Sequence, residues 1–321
     1  MKKKLICTIS ILVLAAALCS GCSTAPFKTT DSFASYYAKN KEEVGSDLKG
    51  MASDLAVLSD SEATDPNYQS NDYADLLIND STNEVLESYH CFDRLYPASI
   101  TKVMTALLTL EHGNMDDEIT LKHDINLTEN GAVISTLTKG DTVTVGQVFH
   151  TMLIKSANDC AVILAEYVAG SESKFIDMMN AKAKELGATH THFVNPNGLH
   201  DNNHYTTAYD LYLIFKEAVK YDTFVDTVSS KDYTMTYTTP KKTQINEYMQ
   251  STNYYLLNEF PVPEGVVMYG GKTGTTSMAK SCLILMTKNK KGERIFSVVL
   301  GAETKDMLYS SMSQLLEKTA N

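Results

Sequence analysis

A hydroxyl and an amine three residues apart are the first groups in this chain that could do chemistry. They stand in Ser99-Ile100-Thr101-Lys102, led by Pro97-Ala98 and followed by the apolar positions Val103, Met104, Leu107, Leu108 and Leu110. At a helix start that spacing places both groups on one face, within reach of each other. The helix N-terminus favours negative charge near Ser99 and disfavours a protonated amine at Lys102, which biases Lys102 toward acting as a base. Spacing alone is a weak signal, because Ser46/Lys49, Ser171/Lys174 and Ser277/Lys280 repeat it. The Pro-Ala lead and the unusually apolar helix set Ser99 apart.

Two further segments add to it. Ser156-Ala157-Asn158 follows the apolar Met152-Leu153-Ile154 and precedes a helical pattern. Its hydroxyl can relay a proton, and its amide can both donate and accept. Ser81-Thr82-Asn83 and Ser251-Thr252-Asn253 have the same form and read as turn or cap chemistry. Lys272-Thr273-Gly274 occurs once, in an apolar strand pattern beside Gly270 and Gly271. Strand glycines mark close approach of another backbone or a ligand, and a lysine there is well placed to bind a carboxylate. An edge strand carrying a protective lysine is the plainer alternative.

The elements that must position these groups follow from periodicity. Residues 74–78 and 84–89 read as strands around the turn Asp80-Ser81-Thr82-Asn83. A helix opens at Pro97 and Ser99 and ends at Gly113. From 114 to about 230 the pattern is mostly helical, notably over 145–154, 158–168, 174–186 and 207–220. Strands return at 266–275, 281–287 and 294–300, and a closing helix covers 307–318. The expected architecture is α+β: an antiparallel sheet flanked by terminal helices, with an inserted all-helical subdomain.

In this order the three segments resemble the signature of the penicillin-binding and serine beta-lactamase superfamily. The match extends to Tyr96-Pro97-Ala98 before Ser99, to Asp159 after Asn158, to Leu186-Gly187-Ala188, to Phe193-Val194-Asn195-Pro196-Asn197-Gly198-Leu199 and to Gly271-Lys272-Thr273-Gly274-Thr275-Thr276. Over about residues 74–305 the chain is similar to the D-alanyl-D-alanine carboxypeptidases among the low-molecular-mass penicillin-binding proteins. The resemblance implies a beta-lactamase/transpeptidase-like fold and a serine D-Ala-D-Ala carboxypeptidase that trims peptidoglycan stem pentapeptides and binds beta-lactams covalently. It implies Ser99 as nucleophile, Lys102 as general base, Ser156 as proton relay, Asn158 as an amide ligand and Lys272 as the carboxylate anchor. Thr273, Gly274 and Thr275 would contact substrate, and the backbone N–H groups of Ser99 and Thr275 would form the oxyanion hole. No cofactor or metal is implied. Cys160 and Met278 stand where small residues are expected, which would alter substrate fit.

Related readings are a DD-endopeptidase or a weak beta-lactamase; a Glu-x-x-Leu-Asn segment for a deacylating water is not found downstream of Asn158. A non-catalytic penicillin-binding sensor or wall-binding lipoprotein is the reading from another class, and loss of a motif residue would have favoured it. His190, His192, His200 and His204 crowd one stretch, but no His-Glu-x-x-His helix accompanies them, so they read as surface-loop histidines.

The N-terminus carries Lys2-Lys3-Lys4, an apolar run over 5–18, and Ser20-Gly21 before Cys22, which is the order of an export signal. Residues 18–23 resemble a bacterial lipobox, with Cys19 where Leu is usual; cleavage without lipidation and an uncleaved anchor remain alternatives. The expected organisation is a lipoprotein-type signal peptide at 1–21, a polar tether at 22–72 and a catalytic domain at 73–321, held at the outer face of the membrane by a lipid on Cys22. Many relatives carry a C-terminal domain and membrane helix that are not expected here, and the lipid at Cys22 would take over their anchoring. The formal net charge of −11 grows by three units once the leading lysines leave, so nucleic acid is not an expected partner. The three cysteines beyond Cys22, at 91, 160 and 282, form no disulfide framework and read as small core residues.

Overall fold

The structure, a computed structural model, describes residues 55–56, 74–127, 129 and 132–320. The export signal, Cys22 and all but two residues of the expected tether lie outside that range. Those two pack on the domain: Ala56 is fully buried, its N–H donates to the Tyr212 hydroxyl at 3.4 Å, and its carbonyl accepts from the Tyr209 hydroxyl at 2.8 Å.

The larger sheet has the order β2-β1-β9-β8-β7 and is antiparallel throughout. β1 (Ala74–Asn79) and β2 (Glu84–Tyr89) form the first hairpin. β7 (Val267–Thr276), β8 (Lys280–Lys288) and β9 (Arg294–Ala302) form the closing meander. Both faces are covered, which is why β1, β8 and β9 read as nearly unbroken apolar runs. On one face Leu76, Ile78, Ile284, Phe296 and Val298 pack toward the helical middle. On the other, Leu77, Leu283, Leu285, Ile295 and Val299 meet Leu308, Met312, Leu315 and Leu316 of the last helix, Lys305–Glu317.

Between the strands lie α1 (Lys102–His112), α2 (Val145–Ile154), α3 (Asn158–Ala169), α4 (Glu172–Glu185), α5 (Ala208–Ala218) and α6 (Asp222–Ser229), so that the last helix is α7. Ser99 sits in a single 3-10 turn, Ala98–Thr101, that leads into α1. α2 starts with a capping box in which Thr144 and Gln147 satisfy each other's backbone N–H groups.

The middle of the chain is not all-helical. It also carries a four-stranded sheet, β3-β4-β5-β6, made of β3 (Glu118–Thr120), β4 (Thr142–Thr144), β5 (Asp232–Thr238) and β6 (Gln244–Gln250). Two of these strands have three residues, too few to leave a period-two signal. The other two do alternate, with Tyr233, Met235 and Tyr237 inward on β5 and Ile245, Glu247 and Met249 inward on β6, but a charge in the inward row disguises the second.

The turn at residues 195–198 touches the Ser99 turn so closely that only glycine fits. Gly198 has φ +85°, and a Cβ there would lie 1.9 Å from the Ala98 carbonyl oxygen. Gly198→Ala adds a left-handed conformation to a backbone overlap, so we expect a loss of about 2–4 kcal/mol in unfolding free energy, read by urea titration. A loss below about 1 kcal/mol would mean that the two turns separate freely.

Candidate active site

Four segments converge on one buried cluster. The Lys102 amine lies 2.9 Å from Ser99 Oγ and donates to Asn158 Oδ1 at 2.7 Å and to the Asn197 carbonyl at 2.6 Å. The Lys272 amine donates to Ser156 Oγ and to the Thr273 carbonyl, each at 2.9 Å. The two lysines are 0% and 1% exposed, and neither forms an ion pair among the described residues.

Backbone geometry explains why these groups meet. Ser156 links α2 to α3 with φ +66°, and Ala98 precedes Ser99 with φ +46°, left-handed conformations that non-glycine residues hold only under tertiary constraint. β7 runs against the Ser99 turn at Gly274, where a Cβ would lie 3.0 Å from Ser99 N. Ser99, Ser156, Asn158, Thr273, Gly274 and Thr275 line one cavity of about 290 Å³, and the two lysines lie buried behind it.

Burial is the main electrostatic force here. It lowers the Lys102 amine well below the usual lysine range, with the neighbouring Lys272 charge adding to the effect. Burial alone lowers Lys272 to about 7. The helix terminus invoked from sequence is therefore not the leading cause at Lys102. A neutral amine keeps two protons and one lone pair. Asn158 Oδ1 and the Asn197 carbonyl can only accept, so both protons go to them and the lone pair faces the Ser99 hydroxyl. That arrangement can take a proton from Ser99 and leave a nucleophilic oxygen.

All three motif segments are thus brought together, while two of the other Ser/Lys pairs serve elsewhere and Ser46/Lys49 lies outside the described residues. Ser171 caps α4, and Lys280 pairs with Glu303 at 2.8 Å. Cys160 is buried within α3 and Met278 is exposed at the β7–β8 turn; neither lines the cavity. Cys91, Cys160 and Cys282 are all buried, as core residues should be.

Several functional contacts have no signature in the sequence. The Asn197 and Val133 carbonyls belong to loops, and a carbonyl carries no residue type. Val133 O accepts from both Asn158 N, at 2.8 Å, and Asn158 Nδ2, at 3.0 Å, which fixes the amide's orientation. Thr252, read as a turn residue, lines the cavity and meets Thr273 Oγ1 at 2.5 Å. Lys305 and Tyr309 of α7 line its far end. His204 corrects the surface-loop expectation, being 2% exposed, whereas His190 and His200 are exposed and His192 is half-buried. Val194 N–H donates to His204 Nδ1, so Nε2 carries the proton and donates to Thr101 Oγ1 at 2.8 Å. Burial lowers its pKa to about 3, keeping the ring neutral.

The D-alanyl-D-alanine carboxypeptidase family pattern matches residues 60–304. The chain belongs to that family. It is 34% identical over 246 residues to the D-alanyl-D-alanine carboxypeptidase DacF of Bacillus subtilis, covering 75% of this chain and 60% of the relative. To DacC of Escherichia coli it is 32% identical over 250 residues, covering 75% of this chain and 59% of the relative. The chain thus spans about 60% of the length of these curated relatives. The crystal structure of the Streptomyces K15 DD-transpeptidase superposes with a TM-score of 0.71 at 26% identity, covering 78% of this chain and 98% of that one. The fold is accordingly the beta-lactamase/transpeptidase-like α+β fold of this family, with the small sheet included.

The lysine electrostatics have a sign that stability can read. Lys272 titrates at about 7 when folded and near 10.5 when unfolded, so between those values the unfolded chain binds the extra proton and unfolding free energy rises with pH. We expect Lys272→Met to be more stable than the wild type at pH 7, with the difference shrinking by pH 9. A difference that stays constant from pH 6 to pH 9 in chemical denaturation would mean that Lys272 remains protonated in the fold.

Proposed function

We infer that the protein is a serine D-Ala-D-Ala carboxypeptidase acting on peptidoglycan stem peptides. The observation that carries this reading is the Lys102 amine beside Ser99 Oγ with its other two partners restricted to acceptors. Lys102 takes the Ser99 proton as Oγ attacks the carbonyl carbon between the two terminal D-alanines. The oxyanion forms opposite the Ser99 and Thr275 N–H groups. Ser156, hydrogen-bonded to Lys272, passes a proton to the departing amine; D-alanine leaves and an ester to Ser99 remains. Water then attacks that ester, and the shortened peptide departs with Ser99 re-protonated. Lys272, with Thr273 and Thr252 beside it, anchors the terminal carboxylate, because a buried cationic site with no counter-charge among the described residues selects an anion. A beta-lactam follows the first step only: its ring opens, its amine stays attached, and the acyl-enzyme persists.

The chemistry is read by intact mass and by product. Exposure to a penicillin should add one drug equivalent to the wild type and none to Ser99→Ala, and the wild type should release D-alanine from a synthetic pentapeptide but poorly from its C-terminal amide. Full labelling of Ser99→Ala would overturn the assignment.

The same reading places the enzyme outside the cytoplasmic membrane, tethered by a lipid on Cys22. It is supported by the basic, apolar and small-residue order that ends there. A Cys22→Ala variant should lose metabolic palmitate labelling; retained label would assign the anchor elsewhere.

A further inference from the structure

β6 breaks a local rule. Its inward row is Ile245, Glu247 and Met249, so a carboxylate occupies a position the strand pattern reserves for an apolar residue. Such a break needs compensation, and Glu247 has it on both oxygens. Oε1 accepts from the Lys155 amine at 2.5 Å; Oε2 accepts from Thr136 N at 2.9 Å and from Thr136 Oγ1 at 2.6 Å. The Glu247 side chain is 9% exposed. Burial works to raise its carboxyl, but the Lys155 and Thr136 hydrogen bonds together outweigh it and hold the group below the usual carboxylate range. It is therefore ionised, and it differs from the solvated ion pairs that contribute little to a fold.

The position of its partners gives the pair its meaning. Lys155 directly precedes Ser156, the residue held at φ +66°. Thr136 belongs to the segment 132–137, whose Ala132 and Val133 wall the cavity and whose Val133 carbonyl orients Asn158. On the other flank Asp159 accepts from Ser135 N at 2.9 Å and from Ser135 Oγ at 2.5 Å. Tyr237 adds its hydroxyl to Thr136 Oγ1 at 3.1 Å. The Ser156 turn and the cavity wall are thus tied together from both sides, and on the Lys155 side the tie runs through one side chain of the small sheet.

We propose that Glu247 is a positioning residue for acyl transfer: by holding Lys155 and Thr136 at once it fixes the Ser156 turn against the wall 132–137, and so sets where Ser156 Oγ and the Asn158 amide stand relative to the two lysines. The proposal rests on the reading of the site as an acyl-transfer centre. Glu247 touches neither Ser99 nor either of those lysines, so its effect falls on the rate of the chemical step rather than on binding of the carboxylate.

The test compares wild type, Glu247→Ala, Glu247→Gln and Lys155→Met for the second-order rate of acylation by a penicillin, for kcat and KM on a D-Ala-D-Ala peptide, and for Tm. A displacement of the order of an ångström in a reacting group costs roughly a hundredfold. Glu247→Ala should therefore lose about ten- to a hundredfold in kcat and in acylation rate, with KM within about threefold and one drug equivalent still bound at long times. Glu247→Gln, which keeps an acceptor for Thr136, should recover part of that loss, and Lys155→Met should resemble it. The proposal is overturned if the folded variants keep kcat within twofold of wild type, or if KM rises while kcat holds. Should Glu247→Ala fail to fold, the other two variants decide the matter by the same criteria. A wild type that neither acylates nor turns over removes the acyl-transfer reading itself, and this proposal with it.

Discussion

Two lysine amines buried next to each other cannot both stay protonated without an anion. In this structure Lys102 and Lys272 are almost wholly excluded from solvent, and among the described residues no carboxylate is bound to either. Desolvation then favours the neutral amine at both, and at Lys102 the neighbouring Lys272 charge adds to it. Much of the site follows from that constraint. Its hydrogen-bond partners are neutral oxygens of Ser99, Asn158, Asn197, Ser156 and Thr273, whereas a carboxylate in contact would favour the protonated amine.

Holding such a cluster requires a scaffold that does not relax around it. The five-stranded sheet, covered on both faces, provides β7 as a rigid edge that runs against the Ser99 turn at Gly274. α1 is buried along Lys102 to Thr109 and can shift little. Against these fixed parts the two left-handed residues, Ala98 and Ser156, carry local strain that the packing around them maintains. His204 contributes from the interior by bridging Val194 and Thr101, which ties the loop bearing Asn197 to the turn bearing Ser99. A neutral ring suits that place, since protonating Nδ1 would set two donors against each other at Val194.

The small sheet changes how the inserted region is understood. An all-helical insertion would supply Ser156 and Asn158 from the ends of two helices and nothing to brace the loop between them and solvent. β5 and β6 instead reach over that loop through Tyr237 and Glu247. The wall of the cavity is consequently built from sequence positions more than a hundred residues apart. Cys160 and Met278, which looked like candidates for altering substrate fit, do not line the cavity, whereas Thr252, Val133 and the start of α7 do.

The sequence by itself determined the three reactive segments, the strands at both ends and most of the helices between them. These signals are local: Ser99 and Lys102 share a helix face because three residues separate them, and the apolar runs of β8 and β9 report burial directly. Only the tertiary structure decided which carbonyls accept from Lys102 and Asn158, that His204 lies inside, that Thr252 joins the site and that Glu247 faces inward. A carbonyl has no residue identity, a three-residue strand has no period, and a histidine or glutamate looks the same in a loop or strand whether it faces water or the core. Burial, which sets the protonation of both lysines, arises from chain segments that meet only when the whole domain has folded.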